Sequence, residues 1–278
     1  MMRRTLNIVG CGKVGQALGH LWASQQTFIV QDVLTRSRDS ALQAIAFMGA
    51  GQAIGSYAEL RPADVYLIGT PDDQIAACAQ ALAECGCLRP DDVVFHCSGA
   101  LPAAVLEPVS LRGATIASIH PIRSFANPQQ VVEHFAGTYC GVEGDQAALD
   151  ILNEAFAAIG AQPVPIQAEF KNVYHAAAVF ASNYLVTLLD VAVAAYVKAG
   201  MPQEVALALL EPLVRGTIDN VFRLGPTEAL TGPIARGDIA TVVRQYRAVK
   251  AWDQECGALY KQFAKLTTDV AAKKGRQT

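Results

Sequence analysis

The chain has 278 residues, 52% of them hydrophobic and 17% charged, with a formal net charge of −3. That is enough apolar material for two domains with separate cores, and too little charge for intrinsic disorder. A near-neutral balance argues against nucleic acid or an anionic membrane as partner, so a small-molecule substrate is the expected ligand. The cysteines are odd in number and lack metal-ligand spacing, since one residue rather than two separates Cys85 from Cys87. They are expected to be reduced, mostly buried thiols of a cytoplasmic protein, with no metal site. The apolar run after the basic start is shorter than the core of an export signal.

Leu6 to Val9 is a short apolar run, followed at once by Gly10, Gly12 and Gly15 in G-x-G-x-x-G spacing. Val14, Ala17, Leu18, Leu21 and Trp22 then recur on one helical face. The order is strand, tight turn, helix. In such a unit Gly10 permits the turn, Gly12 lets backbone approach a pyrophosphate, and Gly15 lets helix pack on strand. Gly10, Cys11, Gly12, Lys13, Val14 and Gly15 are therefore expected to hold a dinucleotide, against the plainer reading of a glycine-rich turn.

Phe28 to Thr35 reads as a second strand running into Arg36, Ser37 and Arg38. A carboxylate at the end of this strand favours NAD, through the ribose 2′-OH, whereas arginine favours NADP, through the 2′-phosphate. Thr35, Arg36 and Ser37 point to NADP. Asp32 keeps NAD as the alternative, although it lies inside the apolar run. Further strands are expected at Ala53-Ile54, Ala63 to Ile68, Val93 to Phe95 and Thr115 to Ile119, with intervening helices. Ligands of such sheets sit beyond the carboxyl ends of the strands, so Thr70, Pro71, Ser98 and His120 should converge there. Two more strands, 135–142 and 162–166, flank a helix and close the first domain.

The alternation then stops. Residues 168–199 read as one long helix, ended by Gly200. A second runs from Pro202 toward Leu224 with Pro212 bending it, a third is capped by Asp238, and a fourth begins near Asp253. The expected fold is thus a doubly wound, mostly parallel α/β domain of Rossmann-like type at residues 1–166, and an all-helical domain at 167–278. The most apolar stretch, Ala176 to Val197, carries Asn183 and Asp190 and is expected to be a buried helix rather than a membrane span. The helical domain is also expected to form a homodimer.

Lys171 and His175 are four apart on the long helix and share a face with Ser182, while Asn183 points about a quarter turn away. A lysine partly desolvated beside the cleft is a candidate proton donor. His96 and His120 each follow a strand directly, and Arg123 is a candidate clamp for an anionic substrate. Ser98 lacks a nucleophile elbow, so a hydrogen-bonding or turn role is expected. Catalysis would rest on Lys171, His175 and His120, and substrate binding on His96, Ser98, Arg123, Ser182 and Asn183. For each, a solvated charge or a satisfied histidine is the plainer alternative.

The pattern Gly10-Cys-Gly-Lys-Val-Gly15, Thr35-Arg-Ser37 and Gly69-Thr-Pro-Asp72 resembles the pyrroline-5-carboxylate reductase, ketopantoate reductase and 6-phosphogluconate dehydrogenase group. His96-Cys-Ser-Gly99, Ser118-Ile-His-Pro121, Tyr174-His-Ala-Ala-Ala-Val-Phe-Ala-Ser-Asn183 and Thr231-Gly-Pro-Ile-Ala-Arg-Gly-Asp238 resemble, more closely, the bacterial family joining a Rossmann-like domain to the helical domain of unknown function 2520. The resemblance implies an NAD(P)-dependent oxidoreductase of a small carbonyl, imine or hydroxy compound. The alternative is a dinucleotide-binding or sensing protein without chemistry. In the wider group a helix lysine is followed four residues later by asparagine. Here Lys171 matches, but His175 replaces the asparagine, which implies a different substrate or proton path.

Overall fold

The computed structural model describes residues 3–274. Strand β1 (Thr5–Val9) leads through the glycine turn into α1 (Lys13–Ser24), then β2 (Ile29–Leu34), α2 (Arg38–Met48), β3 (Gln52–Ile54), β4 (Val65–Ile68), α3 (Asp72–Glu84) and β5 (Val93–His96). Next come α4 (Glu107–Ser110), β6 (Thr115–Pro121), α5 (Pro128–Glu133), β7 (Tyr139–Gly144), α6 (Gln146–Ala158) and β8 (Gln162–Pro165). The strands form one sheet in the order β3-β2-β1-β4-β5-β6-β7-β8. Only the β6–β7 pairing is antiparallel among these neighbours.

The two-residue period of the strands builds two cores, one on each face. In β4, Val65 and Leu67 join Leu6, Ile8, Phe95, Trp22 and Phe156 on the face covered by α1, α2 and α6. Tyr66 and Ile68 join Ile75, Ala79, Leu82 and Val109 on the face covered by α3 and α4. This is the doubly wound arrangement the alternating pattern implies. The strand-end loops of β1, β2, β4 and β5 consequently open on one edge of the sheet.

Cys85 and Cys87 are joined as a disulfide, which corrects the expectation of reduced thiols at these two positions. Gly86, with φ +74°, lets the chain double back so that cysteines separated by one residue can meet. Cys11, Cys78, Cys97, Cys140 and Cys256 are free thiols.

Two compact units meet at Phe180 and Ala181. The first turns of α7 (Lys171–Ala181) therefore belong with the sheet. The expected single long helix is broken at Ser182 (φ −119°, ψ −71°), after which α8 (Asn183–Lys198) resumes. The second unit continues with α9 (Gln203–Leu224), α10 (Pro226–Ala229), α11 (Ile239–Trp252) and α12 (Gln254–Lys274). Helix α9 runs through Pro212. Asp238 caps α11 by accepting from the Thr241 amide at 3.0 Å, and Asp253 caps α12 through the Cys256 amide at 2.7 Å.

The segment Ala168–Lys198 is long and apolar enough, by length and composition, to cross a membrane, and none of its most apolar window is buried within the chain. That corrects the expectation of a buried helix. Val186 is 68% exposed and Phe222 on α9 is 87% exposed. Among the described residues, no packed layer covers these side chains.

Candidate dinucleotide and proton-transfer site

A cavity of about 970 Å³ lies at the carboxyl ends of β1, β2 and β4. Its floor is the glycine turn. Gly10 has φ +80°, and a Cβ there would stand 2.8 Å from the Thr70 backbone nitrogen, so the β1–α1 and β4–α3 loops can touch only through glycine. A Cβ on Gly12 would meet nothing within 4 Å and would project into open space beside the start of α1. The Oγ1 of Thr70, also on the cavity wall, is buried without a hydrogen-bond partner among the described residues. An orphaned donor beside an open glycine at a helix N-terminus is what a pyrophosphate would complete. These residues fit a dinucleotide.

The structure also separates the two candidates for reading the ribose. Asp32 is fully buried and bound by Arg61, whose Nη2 lies 2.5 Å from Oδ1 and whose amide lies 2.9 Å from Oδ2. It ties β2 to the segment before β4 and has no surface to offer. Arg36, by contrast, lines the cavity with its guanidinium unpaired among the described residues. Thr35 also lines the cavity and donates to the Ser37 carbonyl at 2.7 Å. Ser37 itself is the N-cap of α2, accepting from the Ser40 amide at 3.2 Å. Ser40, Gln43 and Tyr57 complete this end and were not singled out by the sequence reading.

Of the rest of the glycine motif, only Cys11 also lines the cavity. Cys11 contributes backbone, while its thiol is turned against Met48 and is pushed up to about 12 by burial. Val14 packs on the core, and Gly15 lies 3.3 Å, measured from its would-be Cβ, from the Cys11 sulfur. Lys13 donates to the Ala126 carbonyl at 2.7 Å. Pro71 lines the cavity and caps α3.

Strands β6 and β7 and helix α7 build a second constellation. Their antiparallel register sets Ser118 opposite Glu143 and His120 opposite Gly141. Side chains two apart on a strand and three apart on a helix each share a face, so Lys171 covers the first rung and Tyr174 the second. Lys171 donates to Glu143 Oε1 at 2.7 Å and makes a short hydrogen bond to Ser118 Oγ; the Ala103 amide donates to the same Glu143 oxygen at 2.8 Å. Lys171 is 1% exposed, and burial lowers its pKa while Glu143 opposes the shift. The residue expected to protonate substrate is thus enclosed in an ion pair.

His120 Nδ1 lies 2.9 Å from the Tyr174 hydroxyl, and its ring centre lies 5.6 Å from that of His175. Gly99 makes room for both histidines, since a Cβ there would come within 2.8 Å of His120 Nε2 and collide with the His175 ring. Gly141 likewise makes room for Tyr174, whose Cζ would lie 2.6 Å from a Cβ at that position. Burial brings His120 down to about 4, and His175 and Lys171 push in the same direction, so the ring is neutral near pH 7.

Three of the remaining candidates, His96, Ser98 and Arg123, have structural partners. His96 is fully buried, accepts from the Ser98 amide at 3.1 Å, faces the Pro102 carbonyl at 3.3 Å, and is brought down to about 4 by burial. Ser98 donates to Asp72 Oδ2 at 2.7 Å and accepts from the Ala100 and Leu101 amides, which makes it a turn residue that also holds Asp72. Arg123, the expected anion clamp, is bonded to the His134 carbonyl and to Thr138 Oγ1. Ser182 and Asn183 are exposed at the junction of α7 and α8, in the second unit. Tyr174, Glu143 and Asp72 were missed. Tyr174 stood in a quoted motif three residues after Lys171, and Glu143 had only the signal of a carboxylate next to Val142 in an apolar strand.

A glycine turn, an open helix start and a cavity across the first strands define the class of dinucleotide-binding α/β folds. Residues 1–121 match the Rossmann-like domain and residues 138–267 match the domain of unknown function DUF2520. The chain belongs to the family that joins these two domains. It matches no curated protein. Among solved structures it is similar to a Thermotoga maritima protein, with 29% identity and a TM-score of 0.77 over 97% of this chain and 99% of that one. A Bacteroides fragilis protein provisionally called an NADP oxidoreductase shares 22% identity, with a TM-score of 0.76 over 96% of this chain and 98% of its own. Pyrroline carboxylate reductase of Plasmodium falciparum, solved with NADP bound, shares the fold at 14% identity, with a TM-score of 0.58 over 96% and 99% of the two chains.

Proposed function

We propose that the protein is an oxidoreductase that binds NADP(H) at the ends of β1, β2 and β4 and moves a hydride to or from a small carbonyl, imine or hydroxy compound. The observation that carries this reading is the contrast at β2: the carboxylate that could choose NAD is locked to Arg61, and the arginine that could choose NADP is unpaired on the cavity wall. Gly10, Gly12 and Thr70 would hold the pyrophosphate and Arg36 the 2′-phosphate. When bound, the nicotinamide supplies the hydride. His120, with His175 beside it, serves as the proton donor, and the Lys171–Glu143 pair positions α7 over β6 and β7. The Plasmodium structure, solved with NADP bound, supports a nicotinamide dinucleotide by fold, and the choice of NADP rests on Arg36 and Asp32.

Arg36→Ala tests the assignment. Calorimetric titration should show NADPH weakened about tenfold to a hundredfold, the range of one charge-assisted contact, with NADH little changed. Equal losses for both would remove the 2′-phosphate role.

The enclosure of Lys171 favours a second reading, a protein that binds NADP(H) as a sensor without turnover. NADPH oxidation across a panel of carbonyls and imines separates the two, because a sensor turns over none of them. We also read the protein as a cytoplasmic homodimer, in which a second copy covers the apolar helices.

A further inference from the structure

We propose that Tyr174 holds His120 in the tautomer protonated on Nε2 and replaces that proton as it leaves, so the two form a proton relay. The inference rests on the oxidoreductase reading above and assigns its proton path. The phenol oxygen lies against Gly141, whose backbone amide favours the charged form of the phenol. Its own hydrogen has two candidate acceptors, His120 Nδ1 at 2.9 Å and the His120 carbonyl at 3.5 Å. Only the first is within ordinary O–H hydrogen-bond distance. Nδ1 therefore accepts, and the ring proton stands on Nε2. Among the described residues none bonds to Nε2, which faces the space that Gly99 leaves open beside His175.

The relay balances. A substrate C=O or C=N carbon that gains a hydride leaves the former π pair on its oxygen or nitrogen. That atom takes the Nε2 proton, Nδ1 takes the phenol proton, and the ring emerges in its other tautomer. The single negative charge ends on Tyr174, beside the Gly141 amide, and water returns the proton. Burial lifts the phenol to about 12, still a stronger acid than water or an alcohol, so the transfer runs downhill from an alkoxide. The charged and titratable groups facing His120 are Tyr174, His175 and Lys171 on α7 and Asp72 on α3. Glu143 on β7 neutralises Lys171.

Ring ¹⁵N NMR of the full chain tests this without substrate or dinucleotide, with the His120 signals assigned by their loss in His120→Asn. The wild type should show a protonated Nε2 and an acceptor Nδ1, and Tyr174→Phe should move both signals toward the average of the two tautomers. A proton on Nδ1 in the wild type, or an unchanged spectrum in Tyr174→Phe, would overturn the proposal. Tyr174→Phe should also slow turnover about a hundredfold, the usual weight of a positioned acid, while NADPH affinity stays the same. Turnover retained in full would overturn the replacement step. Failure of the wild type to bind NADP(H) would sink the oxidoreductase reading alone, because the tautomer is read independently of it.

Discussion

Lys171 owes its position to two strands. Glu143 on β7 accepts from it, and Ser118 on β6 stands on its other side, all three out of contact with bulk water. Such a pair contributes little net stability, because each ion lost its hydration on burial, but leaving one partner alone is costly. Lys171→Met should therefore destabilise the protein by about 3–5 kcal/mol, and adding Glu143→Leu should recover most of that loss. Urea unfolding measures both. A single variant as stable as the wild type would mean that the pair is open to water. Lys171 could be singled out in the sequence by its helix position, but its partner could not: a lone glutamate on a strand carries no signal of which helix will cover it. Arg36 was legible because strand ends in this fold have assigned tasks. That Asp32 is removed from contention by Arg61, 29 positions away, depends on packing that no local pattern encodes.

At the scale of elements, the antiparallel entry of β7 determines which side chains gather around His120. Parallel strands follow from the alternation of apolar runs and helical faces, and those runs were readable. The direction of β7 sets Gly141 opposite His120, and only then does Tyr174 find room above the strand. Two glycines, Gly99 and Gly141, thus shape the constellation by absence of side chain, which a sequence shows only as two more glycines. Caps were more transparent, since an aspartate before a helical pattern satisfies free amides wherever it occurs, as Asp238 does. The break at Ser182 was not, because Ala, Ser and Asn over that stretch are all compatible with a continued helix. The Cys85–Cys87 bridge depends on the positive φ of Gly86, a backbone property rather than a spacing rule.

At the scale of the whole molecule, the exposed apolar side chains of α7, α8 and α9 are the outstanding feature. Patches of this kind mark surfaces that a partner covers, and a second copy is the occupant that suits a chain whose net charge of −3 is too small to recruit another by attraction. Light scattering should give twice the chain mass at micromolar concentration without detergent. A monodisperse monomer under those conditions would contradict the dimer, and solubility only with detergent would point instead to a membrane. Hydrophobic content announced a packed helical region, but a helix buried in its own core and one buried in a partner have the same composition, and only the fold distinguishes them.

The central claim is that the cavity over β1, β2 and β4 takes NADP(H), and titration of the intact wild-type protein tests it most directly. The account predicts saturable binding of one NADPH per chain, with NADH at least about tenfold weaker. Binding of neither dinucleotide at millimolar concentration, or NADH bound more tightly than NADPH, would contradict it.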